Sequence, residues 1–465
     1  MMPNQITDDL ENNRADQSIS PAYDAGAPNT DVPPANKSDG GYGWVCVVAM
    51  LLITAHTWGV NGAFGVYLAH YLDSNTFPGT SELTYSFIGG LSISQITFIA
   101  PLVTKCVHTF GTRPTLLVGV VLETGGLIAA SFATKVWHLF LTQGLLFGWG
   151  SSFLYVGAVG IVPQWFEKRK SVANGIAAGG SGLGGLIWSL ATSSMIQNLG
   201  LPWAFRITAI CVFVVNITCA FLMRDRNSDL KPNQHSFDLS LFKRYEFVLL
   251  VGWAYFSTLG YTIILFSLPD NAVKVGLTSR QGAIVGALAN LGMAIGRPTI
   301  GLLSDYAGRI NVATGATFLS ALYCLCIWTS GNSYAVLIVF AVLGGSVFGT
   351  YWATIGPLLN EVLGIRLLPA ALSIVWTVIV LPTTFAEPIA LELRRRRSPY
   401  YLDVEVFSGC VFIAGTLCLL ALRQWKIRMS DRAPDKVNGS PDKPTRLNYS
   451  KIARALSTTF TLRKV

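Results

Sequence analysis

Apolar runs long enough to cross a bilayer recur twelve times, at roughly 43 to 71, 84 to 107, 114 to 133, 137 to 163, 171 to 196, 203 to 223, 246 to 268, 280 to 303, 311 to 330, 333 to 358, 368 to 392 and 401 to 423. A helix needs about 20 such residues to span a hydrocarbon layer of roughly 30 Å. Inside that layer a backbone amide finds no water, so a segment that satisfies its own hydrogen bonds, an α-helix, is the economical form. Composition agrees: 51% of the 465 residues are hydrophobic and 13% are charged, with a mean hydropathy of +0.47, too little charge for a soluble surface. Many of the 45 glycines fall within the runs, as suits helices whose backbones approach closely. The expected fold class is therefore an all-α membrane protein of twelve transmembrane helices.

Polar stretches divide the chain. Residues 1–40 are rich in Asn, Asp, Ser and Pro without apolar periodicity and predict a disordered cytoplasmic tail. No basic segment followed by an apolar core opens the chain, so no cleaved signal peptide is expected. The polar stretch 224–245 separates a first six-helix bundle, 41–223, from a second, 246–423, and 424–465 form a basic tail. Gly111-Thr-Arg113-Pro after the second run has a counterpart in Gly308-Arg309 after the eighth. Two pseudo-symmetric bundles on one linker suit rocking about a midplane site. Lys105, Arg113, Lys168, Arg169, Lys170, Arg309 and Arg366 all fall in the even-numbered gaps, which predicts both termini in the cytoplasm. The run Arg394 to Arg397 opposes that rule, with Glu387 and Glu392 nearby to offset it.

Net charge is +9, concentrated after the last apolar run. Such a tail reads as facing lipid at the cytoplasmic surface, and no recognition motif points to nucleic acid. The eight cysteines lie in or beside apolar runs and imply no disulfide framework. No metal-ligand cluster, triad spacing or phosphate loop appears, so no enzyme and no cofactor is expected.

Chemistry concentrates in the stretch Asn290 to Asn311. Arg297 sits within the eighth run, where a cation costs about 2.5–3.5 kcal/mol on insertion scales and so needs an anion or a watery cavity. Its planar fork matches a carboxylate, which makes it the leading solute-binding candidate; the alternative is a permanent structural pairing with a glutamate or with backbone carbonyls. Asn290 precedes it by two turns on roughly the same face. Asp305 and Arg309 at the membrane edge read as a gating turn, the acid capping a neighbouring helix across the bundle interface and the base holding a partner acid. A plain solvated turn is the alternative. In the fifth run Gly175, Gly179, Gly182 and Gly185 form one smooth face that predicts sliding against the eighth, with Gly179 and Gly182 as gating positions. His56, Glu123 and Glu387 are the titratable groups within runs that could carry a coupled proton.

Three motifs resemble the major facilitator superfamily, and within it a fungal monocarboxylate-porter branch. They are Asp39-Gly-Gly-Tyr-Gly-Trp44; Trp165-Phe-Glu-Lys-Arg-Lys-Ser171 followed by the glycine-rich stretch Ala173 to Gly185; and Gly296-Arg-Pro298 with Gly301 and Ser304-Asp-Tyr-Ala-Gly-Arg309. The resemblance implies the major facilitator fold and a transporter working by alternating access. It also implies that Asn61, Tyr155, Tyr261, Tyr351 and Trp352 lie on cavity-lining helices, although for each residue taken alone ordinary interhelical packing or an interfacial belt is the favoured explanation. Aromatic rings and amides suit an amphipathic organic anion or a flat ring system. Lactate carriers of the branch have an acid where this chain has Met293 and a lysine in the region of Val60-Asn61-Gly62, so proton-coupled lactate uptake does not carry over. The expected partners are a small organic solute, the bilayer and a proton as candidate coupling ion. A metabolite exporter or a riboflavin-type permease is the alternative, and a transporter-like sensor a third. The expected location is the plasma membrane.

Overall fold

A computed structural model describes residues 40–73, 77, 79–226, 238–364, 366–395 and 397–432. Most of both predicted tails and half of the 224–245 linker lie outside them. The described chain is almost wholly helical, in twelve spans. The first bundle comprises α1 (segments Tyr42–His56, Trp58–Gly62 and Phe64–Asp73), α2 (Glu82–Phe98 and Ala100–Phe110), α3 (Thr112–Ala130), α4 (Val136–Trp165, with a π segment Phe140–Leu146), α5 (Lys170–Leu199) and α6 (Leu201–Leu222). The second comprises α7 (Tyr245–Lys274), α8 (Ser279–Ala307), α9 (Arg309–Leu322, continuing as a π segment Tyr323–Trp328), α10 (Tyr334–Phe348 and Thr350–Leu363), α11 (Leu368–Leu393) and α12 (Leu402–Arg432). The polar linker contributes a short 3-10 turn, Leu239–Lys243, before α7.

Ten of the twelve are long and apolar enough to cross a membrane by length and composition alone, and α2, bent by 42°, makes an eleventh if its two segments are one span. The twelfth, α5, has a composition dominated by Gly, Ala and Ser. Small side chains contribute little hydropathy, but they let α5 lie against two helices at once. A methyl group on Gly180 or Gly184 would strike the carbonyls of Leu51 and Ala55 in α1. One on Gly182 would come within 2.5 Å of Ala294 N and Asn290 O in α8. The sequence predicted one smooth face on α5; there are two, and the second belongs to α1.

Turn chemistry repeats between the bundles. Gly111 between α2 and α3 has φ 86° and Gly308 between α8 and α9 has φ 96°, a left-handed conformation that glycine adopts without the Cβ penalty. The paired motifs therefore share a backbone geometry as well as letters. Outward faces are apolar: Ile210, Phe213, Val214 and Phe221 of α6 and Val118 and Val121 of α3 are exposed, as lipid contact requires.

One boundary differs from the sequence reading. The last apolar run was expected to end at 423, whereas α12 continues to Arg432. Its added turns stay amphipathic: Ile427 is buried, Trp425 packs on the core, and Lys426 reaches Glu361 of α10.

Two arginines of the run at the α11–α12 turn meet carboxylates of α7 and α12. Arg394 pairs with Asp270 at the end of α7 (3.0 Å), and Arg395 donates to Asp403 at the start of α12 (2.7 Å). Tyr401 donates to the same Asp270 carboxylate (2.5 Å).

Candidate functional site: a central cavity between the bundles

A cavity of about 30 Å³ lies between the bundles, lined by α1, α2, α4 and α5 on one side and α7, α8, α10 and α11 on the other. Arg297 reaches it from α8 and is 3% exposed. Its Nη1 donates to Ala178 O of α5 (2.8 Å) and to Ser181 Oγ, and its Nη2 to Met293 Sδ (3.6 Å). Its Nε–H has no acceptor, and among the described residues no ion pair includes Arg297. Of the structural pairings weighed from sequence, the backbone carbonyl is present and the glutamate is not. Room for the guanidinium comes from Gly349 of α10, where a methyl group would sit 2.5 Å from Nε.

Asn290, Asn61, Tyr155, Tyr261 and Trp352 also line the cavity. Asn61 donates to Ser92 Oγ (2.8 Å), leaving its buried Oδ1 without a donor. Asn290 donates to Gly286 O (3.3 Å). Tyr351 lies behind this layer: it is 2% exposed and packs edge-on against Trp253 and Trp352, because adjacent residues of α10 cannot share a face. Sequence reasoning missed Trp58, Ser181 and Gly349. Trp58 lies one turn before Asn61, a spacing that points both inward; its ring sits 4.6 Å from that of Trp352 across the bundle interface.

Toward the end that carries Lys105, Arg113, Lys168, Arg309 and Arg366, here called the basic end, polar contacts join the bundles. Asp305 of α8 accepts from Ser171 N (3.2 Å) and Val172 N (2.9 Å), the first amides of α5. Helix N-terminal amides are unsatisfied within the helix and carry partial positive charge, so a carboxylate suits them. Arg309 donates to Ser171 Oγ (2.9 Å), Glu361 (3.0 Å) and Asp305 (3.4 Å). Asn174 donates to Ala353 O (2.6 Å), and Thr104 shares a hydrogen bond with Ser373 (2.8 Å). Gly179 and Gly182 lie in the α5–α8 contact itself.

The sequence profile of the Major Facilitator Superfamily matches residues 46–385 and 254–461. A probable transporter of Saccharomyces cerevisiae, MCH2, is 34% identical over 408 residues, covering 86% of this chain and 85% of its own length. The chain belongs to the Major Facilitator Superfamily. This is a family of membrane transporters, not of enzymes. A further relative, the agnestins efflux protein AgnL12 of Paecilomyces divaricatus, is 27% identical over 382 residues, covering 81% of this chain and 86% of its own. The fold also matches the superfamily transporter FucP solved in the outward conformation, with a TM-score of 0.61 at 15% identity, covering 82% of this chain and 99% of that one.

In this superfamily member the three titratable candidates stand apart from the cavity lining. Glu123 is fully buried among α3, α4 and α6, accepting from Ser151 Oγ (2.7 Å) and Asn216 Nδ2 (2.8 Å). It serves the interior of one bundle because α3 lies behind α4. His56 hydrogen-bonds Leu52 O (2.8 Å) one turn back and meets Trp188 edge-on. Glu387 is half-buried in the part of α11 away from the basic end. None of the three lines the central cavity.

Proposed function

We propose that this transporter carries an organic anion, of monocarboxylate type, by alternating access, with Arg297 as the group that receives the carboxylate. The observation that carries this is a guanidinium almost excluded from solvent, facing the interbundle cavity, with a free Nε–H and no carboxylate partner among the described residues. A charge-assisted bond with an arriving carboxylate would offset the cost of keeping that cation buried. Trp58, Tyr155, Tyr261 and Trp352 would enclose the solute's body. The basic end, read as cytoplasmic with both termini, is the closed end in this arrangement. We place the protein in the plasma membrane. His56, Glu123 and Glu387 do not line the cavity, so any proton coupling through them would be indirect.

The aromatic walls also favour a second reading, export of a larger amphipathic metabolite, and the efflux role in the name of AgnL12 supports it. The test is transport in proteoliposomes of a radiolabelled panel from acetate to aromatic monocarboxylates, with and without an imposed pH gradient. Arg297→Gln should reduce flux of an anionic solute at least a hundredfold while uncharged solutes are unaffected. Equal anion flux in the variant would remove Arg297 from the site.

A further inference from the structure

Arg297 makes both of its bonds to oxygen across the bundle interface. From α8, its Nη1 donates to Ala178 O (2.8 Å) and to Ser181 Oγ, both on α5. Ser181 sends its own proton back to Ala178 O (3.1 Å), which leaves its lone pairs for the guanidinium and makes the two oxygens one acceptor pair. Ala178, Ser181 and Arg297 all line the central cavity. Ser181 lies eleven residues after Lys170, the start of α5, and Arg297 twelve before Arg309. At about 1.5 Å per residue both sit roughly 17 Å from the basic end, near the middle of the hydrocarbon layer. On either side of this bond the two helices touch through backbone. A methyl group on Gly175 would come within 2.5 Å of Arg297 O, and one on Gly182 within 2.5 Å of Ala294 N. The α5 helix therefore has no room to turn out of the contact, and the bond breaks only when the bundles part. A space of about 30 Å³ admits water but not the body of an organic acid, so this pairing belongs to the closed carrier.

We propose that Ser181 is a positioning residue whose hydroxyl, with Ala178 O, stands in for the solute's carboxylate at Arg297 and latches α5 to α8 in the closed carrier. An arriving carboxylate offers the guanidinium two charged acceptors in place of a carbonyl and a hydroxyl, and such pairs are shorter and stronger. It takes Nη1 from α5, and the latch opens. The solute thereby triggers parting of the bundles at the basic end, which an uncharged molecule of the same size does not do. After release the α5 oxygens take Nη1 back and spare the returning carrier an unmet buried cation. The trigger rests on the carboxylate reading of Arg297, whereas the latch is measurable without any solute.

The reporter is Leu372 of α11, 4% exposed at an inner cavity between α2, α3, α4 and α11 nearer the basic end. A Leu372→Cys thiol, in the full-length chain with its eight native cysteines replaced, is reacted in nanodiscs with a membrane-impermeant maleimide. Without solute, Ser181→Ala should speed the reaction about tenfold, the worth of one hydrogen bond to a charged group. Arg297→Met should speed it at least as much. Adding Ser181→Ala to Arg297→Met should then change the rate less than about twofold, because the two act through one bond. Ser181→Thr keeps the hydroxyl and should keep the parent rate; if Arg297→Met loses its thermal transition, the contrast of threonine with alanine carries the test. A Ser181→Ala rate within twofold of the parent, equal effects in both backgrounds, or a threonine variant as fast as the alanine one overturns the latch and leaves Arg297 as a carboxylate site. Acetate, pyruvate and benzoate are then added in turn. One that the unaltered chain transports should speed the parent about tenfold and Ser181→Ala little further. A transported acid that leaves the parent rate unchanged overturns the trigger. If none of the three is transported, the Arg297 reading falls and the trigger with it.

Discussion

Replacing Asp305 with asparagine should open the basic end. The carboxylate is 11% exposed and accepts two bonds from the start of α5 at 3.2 and 2.9 Å, while Arg309 approaches one of its oxygens at 3.4 Å. Bonds to a charged acceptor contribute about 1.5–3 kcal/mol each, against about 0.5–1.5 for a neutral one. Asparagine keeps one carbonyl acceptor but turns an NH2 toward the second amide and loses the favourable charge at a helix N-terminus, so the net loss is about 2 kcal/mol. At about 1.4 kcal/mol per factor of ten, the population with parted bundles should rise roughly 30-fold. Leu372, 4% exposed at the inner cavity, can report it. In a background with the eight native cysteines replaced, a Leu372→Cys thiol should react with a membrane-impermeant maleimide roughly 30-fold faster when Asp305 is Asn. A rate within twofold of the parent would show that the Asp305 cap does not hold this end shut.

The glycines make sharper packing predictions. Gly349→Ala places a methyl group 2.5 Å from Arg297 Nε, so it should displace the guanidinium and impair anion transport like Arg297→Gln, with a nearly unchanged thermal midpoint; normal transport would show that the fork has other room. Gly182→Ala meets α8 backbone at 2.5 Å, which cannot swing aside, and should cost about 1–3 kcal/mol by overpacking, read as a lowered melting temperature in detergent. Glu123→Ala strands the Ser151 and Asn216 donors in a closed interior and should cost about 3 kcal/mol or more. Transport per folded molecule should be preserved, and a selective loss of pH-gradient-driven flux would instead assign Glu123 to coupling.

Hydropathy determined the helical class and most of the spans, the small-residue α5 being the weakest of them, because a bilayer penalises every unpaired amide and leaves no rival to the helix. The Gly111 and Gly308 motifs announced the pseudo-repeat, and both glycines take the positive φ that other residues rarely adopt. Arg297 was legible for a related reason: a cation among apolar residues is expensive wherever it points. Which partners such residues meet was not legible. Periodicity assigns a face to a side chain, but it does not say whether lipid, the interior of the same bundle or the opposite bundle lies beyond that face. Only tertiary packing decided that Glu123 is enclosed by α4 and α6, that Tyr351 stands behind Trp352, and that Trp58 meets Trp352 across the interface. It also decided that α5 needs two glycine faces and that α12 runs to Arg432. A single chain encodes its own helices locally, whereas contacts between helices depend on rotation and offset, which no short window of sequence contains.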